Sequence, residues 1–368
     1  MISNKFAKIL TILISLFLFY VLGNIYAVIR INELKKNAYR SHDKYSIKEK
    51  NAYAKNINSQ EINLYGDLCS MQGTFDQCSF SEGKRVHQFS TDQYGYKTTG
   101  DINNSNLIII GDSFLAASGG DNMNEQFGSV IGDLKSKEVY EAAYPGDISD
   151  YNQRHLFFKK INPRAKFIYL LFEGNDFISM DFMEIEKEPK SYHRLRRYYV
   201  PVIDFLRNPF SIKTSPLSKL IYNKVVAINA KKSEGNNMNP VFVKELNSGR
   251  IQAFLKIYTK ANLMMKTKEY NYISKNADTI CGIVYIPTAN TTYLSKESLE
   301  QKHPNLYRQF IELQKDGIDI VDLTPPFQAA AAKEQKKNSI WWSDDSHWNA
   351  RGIRLGVETA LNSIDCLR

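Results

Sequence analysis

Cysteine and histidine are scarce in this chain, four and six among 368 residues, and no two cysteines form a C-x-x-C pair. With few histidines near them, Cys69, Cys78, Cys281 and Cys366 make no metal-binding pattern. An even set without metal spacing reads as one or two disulfides of an exported domain, Cys69 and Cys78 closing a short loop, with reduced core cysteines as the alternative. Internal repeats and low-complexity tracts are absent as well, which excludes solenoids and tail-like chains. What is present is a globular composition: 43% apolar and 12% aromatic residues over a length that holds one large α/β domain or two small ones.

Charge is missing from one stretch. Between Lys8 and Arg30 the sequence ILTILISLFLFYVLGNIYAVI, residues 9–29, contains no ionisable acid or base of the Asp, Glu, Lys or Arg kind. Twenty-one helical residues rise about 31 Å, enough for a bilayer core and longer than the apolar part of a cleaved signal peptide. Residues 1–30 therefore read as a transmembrane signal anchor, and Ile25 is the wrong residue for cleavage after Ala27. Lys5 and Lys8 on one side face Arg30, Lys35, Lys36 and Arg40 on the other, so basic residues do not fix the orientation. The cysteines do: they place the following domain in the periplasm or otherwise outside the cytoplasm, on a single-pass inner-membrane protein. The net charge of +9 reads as a solvated basic face, with anionic lipid headgroups or an acidic polysaccharide as sharper alternatives. An exported chain has no nucleic acid to bind.

Residues 31–60 are polar and charged, a stalk; the segment to about residue 100 adds Cys69, Cys78 and short strands and turns. Beyond it, strand-length apolar runs recur at 106–110, 138–142, 166–172, 280–286 and 318–321, alternating with amphipathic stretches at 124–134, 241–274, 296–315 and 349–364. Such alternation predicts a parallel sheet covered on both faces, with its ligand at the carboxyl ends of the strands. The segment of about 177–239 breaks the rhythm and reads as a helical insertion, either a lid or a solvated excursion. The domain thus spans 101–368.

Three strands run into turns with chemical content. Gly111-Asp112-Ser113 presents a hydroxyl, although the same triplet is also an ordinary turn with an N-cap serine. Gly146, in AAYPGDIS, lets a backbone N–H approach a substrate oxygen. Asn175, in LLFEGNDF, offers an amide to the same oxygen, unless Asn175 and Asp176 only build an Asx-turn. Near the C-terminus, WWSDDSHWNARG sets His347 behind two acids; a histidine acting as base needs a carboxylate on its other nitrogen. Asp344, three residues upstream, is the expected partner and Asp345 the competitor.

In this order the motifs GDSF, PGD, EGND and DDSH resemble the four blocks of the SGNH, or GDSL-type, hydrolase family, over roughly residues 101–368. The resemblance implies a flavodoxin-like three-layer α/β/α sandwich with a five-stranded parallel sheet. It also implies Ser113 as nucleophile, His347 as base and Asp344 as its orienter, with an oxyanion hole made by the Ser113 and Gly146 N–H groups and the Asn175 side chain. No metal or cofactor follows from it. Two positions depart from the family pattern: Glu173 stands where many members have glycine, and Ala142 and Ala143 stand where an asparagine precedes the glycine block. GDSF with SHWN is also similar to envelope polysaccharide O-acetylation proteins, whose Asp-x-His, however, precedes the serine.

The chemistry so implied is acyl transfer, to water in an esterase or to a sugar hydroxyl in an O-acyltransferase served by a membrane acyl-donor protein. The expected substrate is an acylated, chiefly acetylated, envelope or extracellular glycan. Trp342 and Trp348 flank the histidine as candidate sugar platforms, the alternative being that these tryptophans pack the last helix. A catalytically idle, glycan-binding or scaffolding domain of the same shape is the competing function.

Overall fold

The computed structural model describes residues 15, 17–26, 29, 45–47, 52–63, 66–72, 78, 80–83, 85–116, 123–179, 241–255, 262–335 and 338–368. Two compact units are distinguished, one of Met1–Asn37, Gln72–Gln77 and Pro189–Asn239, the other of Ala38–Met71, Cys78–Glu188 and Pro240–Arg368. In the first, residues 17–26 are helical with Phe17, Leu18, Phe19, Leu22 and Ile25 exposed. Residues 9–14, 16, 27 and 28 of the expected anchor lie outside the described residues, and among those described no helix is long and apolar enough to cross a membrane. Most of the expected stalk, 30–44 and 48–51, and the insertion beyond residue 179 also lie outside them.

The second unit is α/β. Its elements in chain order are β1 (Asn58–Asn63), α1 (Asp67–Gln72), β2 (Arg85–Ser90), β3 (Leu107–Gly111), α2 (Phe127–Lys135), β4 (Val139–Ala143), α3 (Ile148–Ile161) and β5 (Lys166–Phe172). They continue with β6 (Val241–Glu245), β7 (Ile251–Leu255), α4 (Thr267–Lys275), β8 (Ile280–Ile286), α5 (Pro304–Lys315), β9 (Asp319–Asp322), α6 (Thr324–Ala332) and α7 (Ala350–Ser363). Five strands form one parallel sheet in the order β9-β8-β5-β3-β4. Counting only these strands, the order is 2-1-3-4-5.

Alternation along each strand divides the apolar side chains between two clusters. Ile108, Ile110, Phe167, Tyr169 and Leu171 pack with Tyr151 and Phe158 of α3, Ile273 of α4 and Leu306 and Phe310 of α5. Leu107, Ile109, Ile168, Leu170 and Phe172 pack with Phe127 and Ile131 of α2, Phe327 of α6 and Ile353 and Val357 of α7. Because both faces are covered, β3 is buried at every position, each isoleucine contributing about 1.5–3 kcal/mol. Tyr53, Phe89 and Tyr96 join the first cluster, so the chain before residue 100 is partly core.

The amphipathic reading of 241–274 is corrected: residues 241–255 form the antiparallel hairpin β6–β7, turning at Gly249 (φ 73°), and among the described residues of that stretch the helix is α4. Both disulfides form, Cys69–Cys78 and Cys281–Cys366. The second, 85 residues apart in sequence, ties β8 to the chain after α7 and is worth about 4–5 kcal/mol on loop-closure grounds.

Candidate active site

β3 lies between β4 and β5, and Gly111 is in register with Ala143 on one side and Leu170 on the other. The helices that follow β3 and β4 go to opposite faces, α2 to one and α3 to the other. That reversal opens a crevice at the carboxyl ends of these strands. A Cβ on Gly111 would sit 2.8 Å from that of Leu115, so the chain folds back on its own strand end. Asp112 closes the turn by accepting from the Phe114 N–H at 2.8 Å. Ser113 is left partly exposed on top, while Phe114 points down and stacks on Phe172 with ring centres 3.8 Å apart.

The C-terminal loop comes over this turn. Trp341 and Trp348 pair in an antiparallel bridge, and Asn349 caps α7 by accepting from Arg351 and Gly352 N–H at 3.1 Å each. Trp348 is wholly buried, donates Nε1–H to the Phe114 carbonyl at 3.1 Å and stacks on Phe127. Between these anchors, His347 Nε2 stands 2.8 Å from Ser113 Oγ and Nδ1 2.6 Å from Asp345 Oδ1. Neutral His347 with its proton on Nδ1 then donates to Asp345 and accepts from the serine hydroxyl. Burial disfavours the imidazolium, but the Asp345 carboxylate, with Asp67 and Asp112 beyond it, outweighs burial and raises the His347 pKa. For Asp345, burial works upward, yet the charge and hydrogen bond of His347 outweigh it and the pKa is lowered.

Asp344 is not the acid on His347. Its carboxylate accepts from Arg85 Nη2 at 2.6 Å, Gly66 N–H at 3.1 Å and Glu82 N–H at 3.3 Å. Asp345 wins because His347 N–H also donates to its Oδ1 at 3.1 Å, a tight turn that folds the acid onto its own imidazole. Trp348 as a sugar platform is corrected too, since it has no exposed surface. Trp342 is partly exposed, with the Arg85 guanidinium 4.4 Å over one face of its ring.

Of the three expected oxyanion donors, Ser113 lies in the turn after β3 and the other two follow the flanking strands. Asn175 is exposed after β5, and the turn there is made instead by Asp176, which accepts from Phe172 N–H at 2.6 Å and from Tyr151 Oη. Asn175 stays out of that turn, and its side chain bonds to Asp112, whose pKa burial raises against the opposing pull of the Phe114 N–H, His347 and Asn175. Gly146 precedes α3, whose Asp147–Asp150 capping box leaves no room for a Cβ: one would lie 2.7 Å from Asp150 Oδ2. Glu173 does not enter the site. Its carboxylate accepts from Lys302 at 2.7 Å, Thr288 N–H at 2.6 Å and Thr291 Oγ1, and pairs with His303 Nε2 at 2.9 Å.

Several contributors have no local signal in the sequence. Arg154 of α3, buried, donates Nη1–H to the carbonyls of Gly111 at 2.7 Å and Ala142 at 2.6 Å, tying β3 to β4 where the family pattern has an asparagine nearby. Asp67 and Arg85 arrive from the N-terminal segment. Asp67, Asp345 and His347 place ligand-type atoms within 4.8 Å of one another, but these atoms are engaged with Ser346, with each other and with Ser113, as in a hydrogen-bonded relay. No protein-family model matches the chain, and no curated protein matches it significantly.

Proposed function

We propose that the chain is a serine-dependent acyl-ester hydrolase or O-acyltransferase of the SGNH type. One observation carries the reading: Ser113 Oγ, His347 and Asp345 form a continuous relay with links of 2.8 and 2.6 Å at the carboxyl end of β3, an interior strand of the parallel sheet. The strand order 2-1-3-4-5 with helices on both faces agrees with a flavodoxin-like α/β/α sandwich. In the reaction, His347 Nε2 takes the Ser113 proton as Oγ attacks the ester carbonyl. The Ser113 and Gly146 N–H groups and the Asn175 amide receive the oxyanion. Collapse expels the alcohol, protonated by His347, and leaves an acyl-serine. Water or a sugar hydroxyl, deprotonated by the same imidazole, then takes the acyl group and frees the enzyme.

The proposed substrate is an acetylated envelope or extracellular glycan, met outside the cytoplasm by a domain anchored through residues 9–29. Two disulfides support an oxidising compartment. The test is the intact mass of the full chain after exposure to a fluorophosphonate, beside Ser113→Ala. A single adduct on the wild type alone is the expected result; an unlabelled folded wild type would remove the serine from the mechanism.

A further inference from the structure

The loop that carries His347 is held by a segment nearly 280 residues upstream. Gly66 N–H donates to Asp344 Oδ2 at 3.1 Å, Asp67 N–H to Asp345 Oδ2 at 3.0 Å and Leu68 N–H to the Asp344 carbonyl at 3.1 Å. The approach is so close that a Cβ at Gly66 would lie 2.1 Å from the Asp344 carbonyl oxygen. In return the buried Asp67 carboxylate accepts from Ser346 N–H at 2.7 Å and Ser346 Oγ at 2.5 Å. Asp67 thus grips both residues immediately before His347, the acid through its own amide and the serine through its carboxylate. The Cys69–Cys78 disulfide fixes the same stretch.

We propose that Asp67 is a positioning residue for the His347 base, setting the imidazole's orientation through Ser346 and Asp345 and its basicity through a second buried negative charge. The proposal rests on His347 being the base of the reaction above. Three carboxylates face this imidazole: Asp345 from its own loop, Asp67 from α1 and Asp112 from the turn after β3. Arg85 of β2 faces them from the other side, paired with Asp344 and acting on Asp345. Of the acids, Asp345 touches the ring and Asp112 supports the serine turn, whereas Asp67 does neither. Its effect is therefore separable. A charge removed at Asp67 lowers the proton affinity of His347 and leaves in place the imidazole's contacts with Asp345, with Ser113 and, at 3.4 Å from Nδ1, with the Ser346 hydroxyl.

The experiment compares full-length wild type with Asp67→Asn, Asp67→Ala and Ser346→Ala. It follows two readouts, the His347 imidazole titration by NMR and the fluorophosphonate labelling rate against pH. Asparagine removes the charge, keeps one acceptor for the Ser346 N–H and turns the second contact into a donation to Ser346 Oγ. Asp67→Asn is expected to move the titration and the acid limb of labelling together to lower pH. Asp67→Ala should in addition cut the plateau labelling rate at least tenfold. Ser346→Ala keeps the Asp67 charge but removes the hydroxyl 3.4 Å from His347 Nδ1, so it should lower the plateau severalfold while moving the titration less than Asp67→Asn does. A wild-type titration in Asp67→Asn, or wild-type plateaus in both alanine variants, would overturn the proposal. Should the Asp67 variants fail to fold, a wild-type plateau in Ser346→Ala alone would do the same. An unlabelled wild type defeats the acyl-transfer reading instead, and the NMR titration still decides whether Asp67 sets the basicity of His347.

Discussion

Two adjacent aspartates with opposite duties make a sharp test. In Asp345→Asn, the amide that replaces Oδ1 faces His347 Nδ1 at about the native 2.6 Å; by donating, it turns Nδ1 into an acceptor and puts the ring proton on Nε2. A protonated Nε2 points its hydrogen at Ser113 Oγ and cannot take one from it. Loss of the tautomer in such relays lowers turnover about 10,000-fold, or roughly 5 kcal/mol in the barrier. Asp344→Asn leaves the relay alone but strips the charge from a buried partner of Arg85, whose side chain is only 6% exposed. An uncompensated buried guanidinium destabilises by about 3–5 kcal/mol. Hydrolysis of a p-nitrophenyl acetate probe, normalised to folded protein, and thermal unfolding together separate the two. Asp345→Asn should be folded and nearly inert, Asp344→Asn less stable yet active per folded molecule. An Asp345→Asn protein within tenfold of wild-type turnover would refute the assignment of the acid.

Removing the Asn175 amide by Asn175→Ala should lower turnover roughly 100- to 1,000-fold with little change in unfolding temperature; undiminished turnover would take Asn175 out of the oxyanion hole. Glu173 offers a pH test of the fold. Burial pushes its pKa up from 4.5, but His303 and Lys302 outweigh it and hold it at about 2. A depressed carboxyl pKa stabilises the fold above its unfolded value and ceases to do so as pH falls through the folded one, here between about 4.5 and 2, a swing of about 3 kcal/mol. Denaturant midpoints of wild type and Glu173→Gln should converge over that range, and parallel curves would show that Glu173 is not the group responsible.

The strands of the sheet and the pairing of Ser113 with His347 were legible in the sequence, whereas the groups that hold that pair in place were not. β5 and β8 coincide with the apolar runs 166–172 and 280–286, because strands buried on both faces carry no polar interruption. α3 left no pattern: its buried side includes Asn152, Arg154 and His155, polar residues satisfied by distant partners, which erase the amphipathic stripe. Residues 241–255 read as amphipathic helix although their alternation around Asn247-Ser248-Gly249 belongs to a hairpin. Ser113 and His347 stood out only together, since each sits in a short motif that alone is an ordinary turn and the order of the motifs along the chain carried the reading. The choice between Asp344 and Asp345 did not, since it depends on Arg85 and Gly66, more than 250 residues away. Trp348 misled for the opposite reason, because it is wholly buried and packs the site against Phe114 and Phe127.

The clamp between residues 66–68 and 344–346 also orders events in time. A chain synthesised from its N-terminus delivers the gripping segment first, the serine next and the gripped loop almost last. Until that loop arrives, Ser113 has no imidazole at its hydroxyl, so an incomplete chain carries a silent serine. Long-range closure of this kind is slow compared with helix formation. On the proposed reading, competence for acyl transfer is acquired in one late step, when that loop docks.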